Sequence, residues 1–126
     1  MNEYLPPVWR HARKNNTRWL LYAIEKGYIN PIPETGKILN RWNIECKEHL
    51  NPFGYHYIKL YMHRTWFSFY VHKAIYAKTH GFIPKGKELD HADSDLSNNK
   101  ASNIIALTTK QNLKKRRYKP KTEGAF

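Results

Sequence analysis

Midway along the chain the spacing of apolar side chains changes from two residues to between three and four, which limits the fold to one that mixes strands with helices. Tyr55, Tyr57, Lys59 and Tyr61 alternate with His56, Ile58, Leu60 and Met62 ahead of the polar pair His63-Arg64, and a second extended run covers Thr65–Tyr70. Such alternation is what a half-buried strand requires, so two adjacent strands are predicted. Directly after them Val71, Ala74, Ile75 and Lys78 fall at helical spacing and Gly81 closes the run. That predicts a short amphipathic helix.

The flanking segments are punctuated just as closely. Asn16-Thr17 offers capping side chains ahead of Arg18-Trp19-Leu20-Leu21-Tyr22-Ala23-Ile24, and Gly27 is a natural stop, so a helix is predicted near 17–26. Asn30-Pro31-Ile32-Pro33-Glu34-Thr35-Gly36 carries dense turn signals, and Lys37–Trp42 reads as a short strand. Pro84-Lys85-Gly86-Lys87 turns the chain into a strand at Glu88-Leu89-Asp90-His91. A polar loop of Asp, Ser and Asn then leads to a second strand at Ile104-Ile105-Ala106-Leu107. Thr108 and Thr109 can cap a last helix running through Asn112 into Lys114-Lys115-Arg116-Arg117, after which Pro120 and the chain end are expected to be loose. The expected class is α+β, a small mixed domain.

Charge narrows the partner. The 22 Lys and Arg against 10 Asp and Glu leave +12, which suits a polyanion, either nucleic acid or an anionic membrane surface. Apolar runs such as Trp19-Leu20-Leu21-Tyr22 fall far short of the roughly 20 residues a membrane span needs, so no membrane partner is expected. The N-terminal Met1–Pro7 lacks the basic and apolar regions of a secretory signal, making the cytoplasm the expected compartment. A lone cysteine, Cys46, excludes an internal disulfide and any multi-cysteine zinc cage, so no structural zinc is expected. Nothing points to an obligate protein partner.

The residues suited to chemistry converge near the end of the chain. Asp90 and His91 are neighbours at the end of a predicted strand, and Asn112 lies in the first turn of the helix that should pack back on that strand pair. Phosphodiester hydrolysis needs a nucleophilic water, charge neutralisation at the transition state and help for the leaving oxygen. An imidazole can deprotonate the water. A carboxylate and an amide carbonyl are hard oxygen ligands of the kind Mg²⁺ accepts.

At these residues the sequence resembles the HNH endonucleases, especially the free-standing or intron-borne homing enzymes of phages. Asp90-His91-Ala92-Asp93-Ser94-Asp95-Leu96-Ser97-Asn98-Asn99-Lys100-Ala101-Ser102-Asn103-Ile104 is similar to that family's first-histidine strand, its Asp- and Asn-rich loop and its central asparagine. Thr108-Thr109-Lys110-Gln111-Asn112 is similar to the start of its helix, with His91 twelve residues before Asn103 and Asn103 nine before Asn112. Gly54-Tyr55-His56-Tyr57-Ile58 through Val71-His72-Lys73 resembles the strand pair and helix that commonly precede the motif. The resemblance implies a ββα-metal, or His-Me finger, fold. It implies His91 as general base, Asp90 and Asn112 as ligands of a divalent metal (Mg²⁺, with Mn²⁺ as a substitute), and Asn103 as the site asparagine that holds the loop. It also implies double-stranded DNA as the partner, a strand-nicking habit, and the host-cell cytoplasm if the chain is phage-encoded. The third motif position is Asn112 where many relatives have a second histidine, and Ser94 stands where glycine is frequent.

On this reading residues 1–50 form an N-terminal helix and strand region with a further DNA contact, 51–117 the nuclease domain with its ββα core at about 86–117, and 118–126 a loose basic tail. Lys114, Lys115, Arg116 and Arg117 cover every side of a helix and are expected to track the DNA backbone. Other readings stay open. Asn112 can be a capping-box partner of Thr109, and Asn103, Asn98, Asn99, Asp93 and Asp95 suit loop and turn chemistry. His72 can cap a helix, pack in the core or touch a phosphate, while His80 suits a helix C-terminus. Arg10, Arg13, Lys14 and Arg18 are a second DNA contact or an ordinary basic surface. A non-catalytic DNA-binding module and an RNA-directed nuclease are the competing functions.

Overall fold

Each helix stop in the sequence becomes a backbone hydrogen-bond closure in the computed structural model, which describes residues 16–118. Helix α1 covers Asn16–Glu25. Gly27, at φ +79°, donates its N–H to the Ile24 carbonyl, and Tyr28 donates to Ala23, the pair of bonds that closes a Schellman motif. The basic residues Arg10, Arg13 and Lys14 and the tail from 119 onward lie outside the described residues, while Arg18 is exposed on α1.

Strand β1 (Ile29–Ile32) pairs antiparallel with β2 (Lys37–Asn40). The expectation of a turn over 30–36 is therefore corrected: the strand runs through Pro31, and only Pro33–Gly36 forms the turn. Pro31 is tolerated because a two-stranded sheet consists of edges, where a missing N–H costs no ladder bond. Ile29 and Ile38 are almost wholly buried, and this burial overrides the local turn signal. The strand expected over Lys37–Trp42 stops at Asn40, whose side-chain oxygen accepts from the backbone N–H of Trp42 and Ile44.

The central hairpin is β4 (His56–Met62) against β5 (Thr65–Tyr70), with the short β3 (His49–Leu50) on the other edge of β4. Its two-residue turn places both His63 and Arg64 at positive φ, the geometry a primed hairpin turn demands and for which Asn-Gly is the usual choice. The His63 ring is anchored instead by α1: its Nε2 lies 2.9 Å from the Tyr22 hydroxyl and its centroid 5.6 Å from that of the tilted Trp19 ring. One face of the hairpin buries Ile58, Met62, Phe67 and Phe69, while Trp66 and Tyr61 remain exposed on the other with ring centroids 5.2 Å apart.

Helix α2 (Val71–His80) follows without a linker. Val71, Ala74 and Ile75 are fully buried, and an Ile or Val side chain so placed contributes about 1.5–3 kcal/mol. The same core takes Trp19, Leu20 and Ala23 from α1, Ile29 from β1 and Ile38 from β2, so the N-terminal elements and the central hairpin close on one helix. Gly81 ends α2, donating its N–H to the Ala77 carbonyl, and the ring of His80 in the last turn lies tilted against Tyr76, centroids 4.6 Å apart.

The final unit is β6 (Lys87–His91), a polar loop with a 3₁₀ turn at Ala101–Asn103, β7 (Ile104–Thr108) and α3 (Thr109–Tyr118). β6 and β7 pair antiparallel, Lys87 with Thr108 through His91 with Ile104, and α3 packs back on both. Together these make a small mixed α+β protein with a ββα unit at its end. Among the described residues no helix is long and apolar enough to cross a membrane.

Candidate active site

Strand β6 runs out at its last residue, and there the chain places Asp90 and His91. Successive side chains of a strand point to opposite faces, so the two adjacent residues serve different surroundings. Asp90 is half-buried and His91 buried. The His91 Nε2 lies 2.7 Å from Asn99 Oδ1. Its ring centroid is 5.1 Å from that of His72 on α2 and 6.2 Å from that of Tyr55.

The other face of β6 meets α3. Glu88, two residues before Asp90, shares its side of the strand, and its Oε1 accepts a 2.6 Å bond from Asn112 Nδ2. Asn112 does not serve as the capping-box partner: that box forms between Thr108 and Gln111, whose N–H donates to Thr108 Oγ1 while the Thr108 N–H donates to Gln111 Oε1. With the first turn of α3 capped one residue earlier, Asn112 is turned onto β6 and buried. Glu88 and Asp90 put carboxylates on this side of the strand, and Asn112 brings an amide group to it.

The loop between the strands is held by Asn103. Its Oδ1 accepts from the Asp93 N–H, and its Nδ2 donates to Asp93 Oδ1 and to the Asn98 carbonyl. Asn98 Nδ2 in turn donates to Asp93 Oδ2. These bonds, that from Asn98 foremost, hold the Asp93 carboxyl below the usual range, and the Ser97 hydroxyl and N–H do the same for Asp95. Ser94 occupies the left-handed region at φ +66°, where glycine has no steric cost; its N–H donates to the His91 carbonyl.

His72 is the residue whose role the sequence left open. It is buried at the start of α2, where its ring meets Tyr55, Tyr70 and His91. Burial first, then the nearby His91 and Lys73, push its pKa down to about 3. Its place in the buried face of α2 was the one signal available. Of the four basic residues, Lys114 is exposed on α3, while Lys115, Arg116 and Arg117 are placed by backbone alone, on its helical continuation.

The donor chemistry fits a hard divalent cation. Asp90 carries a carboxylate on the strand face where Asn112 bonds Glu88, and Mg²⁺ is commonly held by one or two protein oxygens while keeping several waters. Among the described residues no three His, Cys, Asp or Glu side chains gather as an all-protein cage would require.

Comparison with known proteins bears on this geometry. The family model described as HNH endonuclease matches residues 69–114, from the end of β5 into α3. Among solved structures the chain is similar to one described as DNA binding and cleavage by the HNH homing endonuclease I-HmuI, with a TM-score of 0.59 and 26% identity. That likeness covers 66% of this chain and 48% of the other, so this chain spans about half of that one's length. No curated protein matches.

Proposed function

As a member of the HNH endonuclease family over residues 69–114, this protein is, we propose, a divalent-metal-dependent endonuclease that hydrolyses phosphodiester bonds in double-stranded DNA. The observation that carries the reading is the end of β6, where a histidine anchored at one ring nitrogen adjoins a carboxylate whose strand face is tied to an α3 asparagine. His91 takes the proton of the attacking water. Asp90 and Asn112 would hold the metal, Mg²⁺ or Mn²⁺ in its place, which would supply charge neutralisation to the phosphate oxygens and the leaving group. Asn103 keeps the loop after His91 closed, so that the strand end bearing both residues has one shape.

Lys114, Lys115, Arg116 and Arg117 track the phosphate backbone from α3. Residues 1–50 add a further contact; their described part shares its core with α2 and would approach the duplex together with residues 51–117. One hydrolytic site cuts one strand per encounter, so a nick is the expected product.

Supercoiled plasmid tests the reading. Mg²⁺ or Mn²⁺ should convert it to open circles and chelator should abolish the conversion, because carboxylate and amide oxygens repel phosphate until a cation reverses the local charge. Folded His91→Ala should lose roughly 10²–10⁴ of the single-turnover rate with DNA affinity little changed. Asp90→Ala and Asn112→Ala should raise the metal requirement first. Full cleavage in excess chelator would remove the metal from the mechanism, and preference for RNA over the plasmid would reassign the substrate.

A further inference from the structure

The outward face of the β4–β5 hairpin carries aromatic rings and cations in an ordered array. Alternation along β4 puts Tyr57, Lys59 and Tyr61 on that face, opposite the buried Ile58 and Met62. The register sets Tyr57 across from Tyr70, Lys59 from Ser68 and Tyr61 from Trp66. Two pairs of rings therefore flank a lysine, about 13 Å apart along the strand. Tyr61 is 55% exposed and Trp66 66%, so neither ring serves the core.

The pair at Tyr57 and Tyr70 is built into a pocket. A cavity of about 570 Å³ is lined there by Leu50, Pro52, Tyr57, Ser68, Tyr70 and Lys73. The Tyr70 hydroxyl accepts a 3.0 Å bond from Asn51 Nδ2, and the His49 ring stacks on Tyr57 with centroids 5.3 Å apart, so both tyrosines are held in place. The Lys73 ammonium stands 5.6 Å from the centre of the Tyr70 ring. Tyr70 also links this face to the candidate site: its ring centroid is 5.4 Å from that of His72, which is 5.1 Å from that of His91.

Ring faces discriminate between forms of nucleic acid. In a duplex the faces of the bases lie on one another and the grooves offer only base edges. In an unpaired strand the faces are open, and each base stacked on an aromatic side chain gains roughly 5- to 150-fold in affinity. Lys59 and Lys73 lie among the rings, where cations meet the phosphates between stacked bases. We infer that the outward face of β4 and β5 is a stacking platform for an unpaired DNA strand, which runs from the pocket at Tyr57 and Tyr70 across Lys59 to Tyr61 and Trp66. That the strand is DNA rests on the proposed nuclease reading, whose cut frees a strand end; the stacking rests on the rings.

Binding by the full chain, in chelator and at one salt concentration, tests this without cleavage. Labelled oligothymidylate, oligouridylate and a mixed-sequence duplex are titrated and followed by fluorescence anisotropy. The double variant Tyr61→Val, Trp66→Val keeps strand-forming residues and removes two ring faces, so it should bind oligothymidylate at least about ten-fold more weakly while its duplex Kd stays within about two-fold. Tyr61→Phe with Trp66→Phe keeps the rings and should stay within a few-fold of the parent. Independently of any variant, irradiation of the parent with a bromodeoxyuridine-substituted single strand should cross-link it at Trp66, Tyr61, Tyr57 or Tyr70. Equal oligothymidylate affinity in the valine variant, or cross-links only outside this face, overturns the inference. So does an equal loss on the duplex, which would make the face a duplex contact, or tighter binding of oligouridylate, which would make the strand RNA. A parent that binds and cross-links as expected but nicks no plasmid defeats the nuclease reading and leaves the platform standing.

Discussion

A histidine enclosed by three other rings is costly to charge, and His72 shows what that does to stability. Its folded pKa lies at about 3 against 6.5 for an ordinary histidine, with burial the largest cause. The sign follows from linkage: between those values the unfolded chain binds a proton that the folded chain refuses, so stability is complete above about pH 6.5 and falls as the pH drops towards 3. At pH 5 the loss is about 2 kcal/mol, enough to lower Tm by several degrees. Asp93 and Asp95 are shifted downward from 3.8 as well, but for a carboxylate such a shift stabilises the fold, and the contribution is lost only in more acidic solution. His72→Phe keeps an aromatic ring against Tyr55, Tyr70 and His91 and has no proton to gain. Its Tm should be flatter than the parent's between pH 6.5 and 5 by calorimetry; an unchanged slope would show that His72 is protonated in the fold.

Among elements, the β1–β2 turn carries more than its four residues suggest. Gly27 and Gly36 have nearly the same φ, +79° and +74°, yet a Cβ at Gly27 meets nothing within 4 Å while one at Gly36 meets backbone at 2.5 Å. An alanine in the left-handed region costs about 1–2 kcal/mol at either site. At Gly36 the added carbon must also push the turn off Asn99 and Lys100, and overpacking of this kind adds roughly 1–3 kcal/mol. Gly36→Ala should therefore lower the urea midpoint clearly more than Gly27→Ala. Equal shifts would mean that the turn does not press on the loop.

For the whole molecule the net charge of +12 sets the approach to a polyanion. Each phosphate neutralised by Lys or Arg contributes about −0.9 to the slope of log affinity against log salt. Replacing Lys114, Lys115, Arg116 and Arg117 together by glutamine should flatten that slope by up to about four times this value, measured by titrating a labelled duplex at several salt concentrations. A slope equal to the parent's would move the backbone contact to another basic surface of the protein.

Local chemistry was enough to read most of the elements, though not β1 or the short β3. The change of apolar spacing at Tyr70–Val71 marks the step from β5 to α2, Gly27 and Gly81 mark two helix ends, and Asp90-His91 with its spaced asparagines marks the ββα unit, because strand, helix and cap preferences act over a few neighbouring residues. The same local reading took 30–36 for a turn, since burial of Ile29 and Ile38 against α2 outweighs what Pro31 signals nearby. It named Asp90, His91, Asn103 and Asn112, yet it could not tell which face each one serves. That Asn112 bonds Glu88 rather than closing a capping box, that His72 lies on His91, and that Asn99 meets His91 while the Gly36 backbone lies on Asn99 were decided by tertiary structure alone. Each depends on which surfaces of separate elements come to lie within a few ångströms of one another, and no spacing along the chain encodes that.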